Sequence, residues 1–133
     1  MNEQQQALAR ACLDGAETGK MSFPQIVMAL MEAGFDGYEA DLRRGEITYY
    51  LPDGDSLQMP AVKPGIPVAQ EFDASAVKEA IREAQTNAPG YSYPRFCTKV
   101  AGAGCAGYLV SFPGRRVVYF GRTGEIHTEH FPS

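Results

Sequence analysis

Both histidines of the chain, His127 and His130, lie in the segment EIHTEH beside Glu125 and Glu129. Imidazole and carboxylate groups are common ligands of zinc. On a β-strand, His127 and Glu129 would share one face at a separation of about 7 Å, and His130 would point to the other face. A catalytic zinc needs three protein ligands, and the spacing supplies no third one. The segment therefore favours a polar edge strand, whose charges discourage pairing with other strands, over a metal site.

The three cysteines, Cys12, Cys97 and Cys105, are candidate nucleophiles, because the thiolate is a reactive group. They are odd in number and none belongs to a CxxC motif, which favours reduced thiols. In a sequence repeat described below, Cys97 and Cys105 align with Val27 and Phe35. A position that accepts valine or phenylalanine is an apolar packing position, where free cysteine behaves as a small hydrophobe. We therefore predict buried thiols and no catalytic residue among them.

Two pairs of adjacent aromatic residues, Tyr49–Tyr50 and Tyr119–Phe120, fall on predicted strands. Because neighbouring side chains on a strand point to opposite faces, one member of each pair enters the core. The other member, Tyr50 or Phe120, lies on the second face of the sheet. Exposed aromatic side chains mark partner surfaces, so Tyr50 and Phe120 form the candidate surface for another protein or a second copy. The alternative is that helices cover this face.

A second group of residues is suited to a small ligand. The junction between two repeated halves is a natural place for a pocket, and the candidates for its walls are Tyr38, Tyr108, Arg95 and His127. Paired arginines, Arg43–Arg44 and Arg115–Arg116, stand at the tips of two predicted hairpins, where they could bind phosphate or carboxylate in a bidentate manner. Loop tips are commonly polar, so solvated tips are the favoured interpretation of these arginines.

The sequence repeats itself at an offset of 70 residues. Between 22–54 and 92–124, eight of 33 aligned positions are identical without a gap, where average residue usage gives about two. In each copy a serine suited to a helix N-cap precedes a proline of the first turn, and a glycine suited to the helix end follows. Three strand-like segments come next in each copy, and the third is longer by about two residues in the second copy.

Each copy therefore predicts the order helix–helix–strand–strand–strand. The first helix is expected over 4–15, with Leu8, Ala11 and Cys12 on its apolar face. Two antiparallel meanders packed with helices about a pseudo-two-fold axis form an α+β fold, and gene duplication accounts for the repeat. One domain is predicted, with the first copy at 1–60, an extended crossing that contains three prolines at 60–72, and the second copy at 73–133.

Composition narrows the class of protein. A chain of 133 residues suits one domain, and a hydrophobic share of 44% is ordinary for a globular protein. The net charge of −4 argues against nucleic-acid binding, where a basic face supplies most of the affinity. No apolar run approaches the roughly 20 residues that cross a bilayer, and Met1 to Gln6 lack the pattern of a secretory signal. We therefore expect a cytoplasmic protein without a membrane partner.

The pattern AGFDGYEADLRRGEITYYLPDG, followed by a proline-rich link and by YPRFCTKVAGAGCAGYLVSF and VVYF, resembles an uncharacterised bacterial and prophage family, the YbcV-like proteins. The resemblance extends from Phe23 to Pro132 and rests on turns, caps and aromatic strand positions. It implies a shared fold and brings no catalytic residue with it. Some members carry the label phage envelope protein, which implies a prophage-encoded structural or accessory protein.

The favoured function is a non-enzymatic module that binds another protein or forms a homodimer, without a cofactor or metal. An uncovered sheet face invites a matching one, which is the reason for expecting a dimer. The alternative is a small-ligand-binding protein or an enzyme, with a cleft between the repeated halves.

Overall fold

A computed structural model describes residues 1–132 of the chain. The element order helix–helix–strand–strand–strand occurs twice along these residues. This order confirms the α+β class predicted from the sequence. The helices are α1 (Glu3–Thr18), α2 (Phe23–Glu32), α3 (Ala74–Thr86) and α4 (Tyr93–Gly102); the strands are β1 (Gly37–Asp41), β2 (Glu46–Tyr50), β3 (Ser56–Pro60), β4 (Cys105–Ser111), β5 (Arg116–Gly121) and β6 (Ile126–His130).

The ends of α2 and α4 lie where the capping residues place them. The hydroxyls of Ser22 and Ser92 each accept a hydrogen bond from the backbone N–H of the third helical residue. Gly34 and Gly104 follow the two helices with a φ of +91°, which glycine adopts without the steric cost that a Cβ atom brings. Among the helices of residues 1–132, none is both long and apolar enough to traverse a bilayer.

The first helix differs from its prediction. It extends over Glu3–Thr18 because Asn2 caps it in a capping box with Gln5. Ala11, predicted on the apolar face, is exposed, whereas Cys12 is buried. The buried face includes Ala9 and Cys12, three residues apart, and Ala11 lies about 200° around the helix axis from Ala9.

All six strands belong to one antiparallel sheet with the order β3-β2-β1-β4-β5-β6. Each half contributes a three-strand meander, and the pair β1–β4 joins the two meanders at the centre. Along β2 and β5, fully buried side chains alternate with more accessible ones. The sheet therefore has a covered face, which packs against the helices, and an open face.

The strand register repeats at the same offset as the sequence. Tyr38 pairs with Tyr49 in the first half, and Tyr108 pairs with Tyr119 in the second. Strands β3 and β6 are both five residues long, so the prediction of a longer third strand in the second copy is wrong, since its flanking residues lie outside the paired segment. The repeated order and register agree with a two-fold arrangement of the halves; its origin by gene duplication stays a prediction.

The halves share one hydrophobic core, to which all four helices and strands from both meanders contribute. Residues 61–73, which contain neither helix nor strand, connect the halves along one end of the sheet. There Val68 packs with Ala101 and Ala106, and its carbonyl accepts a hydrogen bond from Nη1 of Arg122 at 3.0 Å. The crossing segment is thus bound to the second half before α3 begins.

The helices pack on the covered face of the sheet and against each other. The backbone of α3 approaches β6 and that of α4 approaches β4. The two helix pairs also contact each other, α1 with α4 and α2 with α3.

Candidate functional site

A cavity of about 1090 Å³ lies between the helices and the covered face of the sheet. Its roof comes from α1, α2 and the turn between them. Its side walls come from the end of α3, the start of α4 and the segment after β6, and its floor from β1, β2, β4 and β5. Protein pockets that hold small molecules commonly measure about 300–1,000 Å³, so the cavity has the size of a ligand site.

Four tyrosines form the floor of the cavity: Tyr38, Tyr49, Tyr108 and Tyr119. The centroids of their rings are separated by 5.3 Å for Tyr38–Tyr49, 6.4 Å for Tyr38–Tyr108 and 5.6 Å for Tyr108–Tyr119. None of the four residues is more than 7% exposed. The floor is therefore a continuous aromatic surface at the centre of the sheet.

Three of the four floor tyrosines have a free hydroxyl group. Among residues 1–132, no hydrogen-bond partner lies within reach of the hydroxyl of Tyr38, Tyr49 or Tyr119. In the same part of the chain, no side-chain oxygen or nitrogen is both sealed off and unpartnered, so each of these hydroxyls borders open space. Because the rings line the cavity, the floor presents three groups to it that can each donate and accept a hydrogen bond.

The fourth hydroxyl, that of Tyr108, lies 2.7 Å from the hydroxyl of Tyr93. Tyr93 is the first residue of α4, and the equivalent position at the start of α2 is Phe23. Phe23 has no hydroxyl and packs edge to face against Phe131, with ring centroids 6.5 Å apart. The first half therefore has no hydroxyl at the position equivalent to that of Tyr93, and the hydroxyl of Tyr38 has no partner within residues 1–132.

Burial raises the pKa of all four floor tyrosines above the ordinary phenol value of about 10. On the side wall, burial together with the neighbouring Cys97 raises the pKa of Tyr91 to about 12. Among residues 1–132, no charged side chain is fully buried. The interior of the cavity is therefore polar through neutral phenols rather than through charge.

The three thiols are fully buried, as the sequence predicts. Burial raises the pKa of Cys97 to about 12 and that of Cys105 to about 11, and it also raises the pKa of Cys12, which borders the cavity. A thiol with a raised pKa is protonated at neutral pH, and the protonated form is a poor nucleophile. In the fold these thiols are packing groups of the core.

The residues assigned to a cleft from the sequence are brought together only in part. Tyr38 and Tyr108 meet on the cavity floor. Arg95 lies exposed on α4, where its Nη1 donates a hydrogen bond to the carbonyl of Gly90 at 3.2 Å, and it is outside the lining formed by residues 1–132.

His127, the fourth of these residues, lies half-buried on β6 beside the floor, and its ring stacks on Tyr119 at 6.4 Å. Its Nε2 lies 3.0 Å from Oε1 of Glu129, so these two side chains share a face as the strand pattern predicts, whereas His130 belongs to the alternate face. Within the described part of the chain, no three His, Cys, Asp or Glu side chains are grouped to hold a metal ion.

The open face carries the two aromatic residues proposed as a partner surface, Tyr50 and Phe120, and both are half-buried. Phe120 lies over Gly107 of the neighbouring strand, where a Cβ atom would come within 2.7 Å of the ring, and it packs against the cluster around the crossing segment. The more accessible large apolar side chains of this face are Ile126 and Leu109, which are 62% and 37% exposed.

Most of the chain matches a family model described as "Protein of unknown function (DUF1398)", over residues 13–130. The chain belongs to the DUF1398 family. Comparison with curated proteins finds no match. The assignment agrees with the resemblance to an uncharacterised family and carries no activity to any residue of this DUF1398 chain.

Two floor residues of this DUF1398 chain, Tyr49 and Tyr119, are not distinguished from other core residues by the sequence reasoning above. A signal for them exists in the repeat. Tyr38 and Tyr49 reappear as Tyr108 and Tyr119, whereas a core position needs only an apolar side chain. The repeat of tyrosine itself therefore singles out these four positions among the core residues.

The buried phenols of the DUF1398 chain predict a steep loss of stability in alkali. Six tyrosines (Tyr38, Tyr49, Tyr91, Tyr93, Tyr108 and Tyr119) have a raised pKa in the fold. The unfolded chain releases these protons near pH 10, so the free energy of unfolding is unaffected below about pH 10 and falls as the pH rises from there towards 12.

A pH titration followed by tyrosinate absorbance and by circular dichroism tests this prediction. We expect the six phenols to ionise together with the loss of ellipticity. Ionisation of several of these six phenols near pH 10 with the ellipticity intact would contradict their burial in the fold.

Proposed function

We propose that this DUF1398 protein binds a small molecule that has an apolar or aromatic body and one or more groups that hydrogen-bond to phenols. The observation that carries the proposal is the set of three unpartnered hydroxyls on the cavity floor, those of Tyr38, Tyr49 and Tyr119. Each of these hydroxyls borders open space and has no partner within residues 1–132. A ligand in the cavity, or the water that it displaces, can therefore complete their hydrogen bonds.

The walls of the cavity indicate the character of the ligand. Aromatic rings form the floor, and three methionines, Met21, Met28 and Met31, border the roof. Methionine is flexible and adapts to ligands of different shape. Burying an isolated charge costs far more than burying a paired polar group, so the part of the ligand that reaches the floor is uncharged.

The same groups favour binding over covalent chemistry. The raised pKa values keep the thiol of Cys12 and the floor phenols protonated at neutral pH, and a protonated group is a weak nucleophile. A neutral phenol instead orients a ligand by donating or accepting one hydrogen bond.

Binding of a neutral fluorescent dye, N-phenyl-1-naphthylamine, tests the cavity. Ala16 lies on α1 and borders the cavity, whereas Ala11 on the same helix is exposed. We expect Ala16→Phe to weaken dye binding about tenfold or more, because the new ring occupies the ligand volume, and Ala11→Phe to leave it unchanged. Equal effects of the two variants, or no binding by the native protein, would contradict the proposal.

The contribution of the hydroxyls is measured with the combined variant Tyr38→Phe, Tyr49→Phe, Tyr119→Phe. These hydroxyls have no protein partner, so the variant loses no internal hydrogen bond and we expect it to fold normally. Its affinity for 1-naphthol, measured by displacement of the dye, should fall about three- to tenfold for a lost hydrogen bond. Affinity for the dye itself should change less. An unchanged affinity for 1-naphthol would show that the phenols do not contact the ligand.

Self-association through the open face is the second candidate function. The exposure of Ile126 and Leu109 on that face favours a second copy as the partner, but Phe120 is already engaged within the chain. The exposed apolar area is small beside the roughly 800 Å² per partner of a typical stable interface, which ranks this candidate second. A monomer in light scattering at dilute concentration would contradict it. The cytoplasmic location and the prophage association of the YbcV-like proteins stay predictions and support neither candidate.

A further inference from the structure

Arg115, in the hairpin between β4 and β5, has a backbone conformation that arginine rarely adopts. Its φ is +49°, in the left-handed region where a Cβ atom is unfavourable. Within residues 1–132, Asn87 is the other non-glycine residue with a positive φ, and it ends α3, a position that asparagine commonly fills. The equivalent residue in the first half is Gly45, with a φ of +70°. Glycine therefore meets the backbone requirement of this hairpin, and the turn does not need arginine.

The side chain of Arg115 lies at the mouth of the cavity. Its guanidinium carbon is 5.8 Å from the centroid of the Phe131 ring, and its Nη2 donates a hydrogen bond to the carbonyl of Pro132 at 3.4 Å. Arg115, Phe131 and Pro132 all border the cavity. None of the acidic side chains of residues 1–132 lies within 4.0 Å of this guanidinium, which leaves donors available for an anion.

Charge is distributed unevenly around the cavity. The lysine, arginine and acidic residues of the lining are Lys20, Arg115 and Glu129, and Glu129 is already bonded to His127. These residues therefore give the lining a surplus of one positive charge, although the whole chain has a net charge of −4. An arginine that is only solvated at a hairpin tip requires neither a left-handed backbone conformation nor a position beside the cavity.

We propose that the ligand is an amphipathic anion, with an apolar or aromatic body against the tyrosine floor and a carboxylate or similar group at the mouth, and that Arg115 binds the anionic group. This inference rests on the proposed function and names the class of its ligand. The guanidinium offers paired N–H donors that match the two oxygens of a carboxylate. In this proposal the unfavourable backbone conformation of Arg115 is retained because it places the guanidinium group at the cavity mouth.

Two dyes that share the same aromatic body separate this inference from the proposed function. 8-Anilino-1-naphthalenesulfonate is anionic, and N-phenyl-1-naphthylamine is its neutral counterpart. We expect Arg115→Gly to weaken binding of the anionic dye about fivefold and to change binding of the neutral dye less than about twofold. Added salt should shrink the difference, since it screens exposed charges. Glycine suits the backbone at this position, so the variant is expected to fold.

Arg116→Ala is the matched control, because Arg116 is exposed on the same hairpin, carries the same charge and does not border the cavity. It should leave the affinity for both dyes unchanged, and Arg115→Lys should retain part of the affinity for the anionic dye. Equal effects of Arg115→Gly and Arg116→Ala on the anionic dye, with the neutral dye still bound, would overturn the role of Arg115 and leave the cavity proposal standing. Failure of the native protein to bind the neutral dye would overturn the cavity proposal itself.

Discussion

The substitution Gly104→Ala is expected to lower the free energy of unfolding by roughly 3 kcal/mol or more. Two costs add at this position. The φ of +91° is unfavourable for alanine, and a Cβ atom would lie 2.0 Å from the carbonyl oxygen of Glu71 and 2.8 Å from the Cα atom of Phe72. Both contacts are with backbone, so relief requires the crossing segment to move. That movement would break the 2.7 Å hydrogen bond from the backbone N–H of Asp73 to the carbonyl of Ala103.

The repeat supplies the matched control for this substitution. Gly34 has the same φ of +91°, but the nearest atom to a Cβ there is the end of the Gln5 side chain at 3.9 Å. Gly34→Ala therefore has only the conformational cost, about 1 kcal/mol. Urea unfolding of both variants measures the difference in the free energy of unfolding. In thermal unfolding, Gly104→Ala should lower the melting temperature by about 10 °C. Equal losses for the two glycines would show that the crossing segment does not press on Gly104.

The second large effect is expected for Leu30→Ala. Leu30 is fully buried in the core between the helices and the sheet. Its truncation removes apolar contact and leaves a void, which costs about 3 kcal/mol. Val100 is the equivalent residue of the second half and is also fully buried, and Val100→Ala should cost about 2 kcal/mol because a smaller group is removed.

Met28→Ala on the same helix is the control, because Met28 is 63% exposed; we expect its cost to stay within about 0.5 kcal/mol. Chemical unfolding followed by both fluorescence and circular dichroism measures all three variants. Leu30→Ala and Val100→Ala should each shift a single transition of unchanged slope, since the halves share one core and one sheet. Two separate transitions, one sensitive to each substitution, would contradict a shared core.

The candidate site arises from a difference between two similar halves. Both halves place tyrosines at the same two strand positions, so the floor is nearly two-fold symmetric. The helical lining is not symmetric, because α1 and α2 contribute more of it than α3 and α4 do. The hydroxyl of Tyr108 is bonded to that of Tyr93, whereas the equivalent of Tyr93 in the first half is Phe23, which has no hydroxyl.

Local patterns were sufficient to predict the elements and the two faces of the sheet. Serine caps, helix-ending glycines and the alternation along β2 and β5 depend on residues close together in sequence, and the structure has these features where the patterns predict them. The burial of Cys97 and Cys105 followed from their alignment with apolar residues of the repeat, and that of Cys12 from its place on the apolar face of the first helix. The end of the third strand was less well predicted because the paired segment stops before the strand-like residues do. The buried face of α1 was less well predicted because packing in the shared core selects it.

The sequence by itself determined the order of elements, their caps and the residues that enter the core, because short-range periodicity and turn chemistry control these features. Only the tertiary structure decided that β1 lies beside β4, and that Tyr38, Tyr49 and Tyr119 border a cavity while Arg95 does not. The spacing between helices and sheet depends on many weak contacts between residues distant in the chain, and no local pattern encodes their sum.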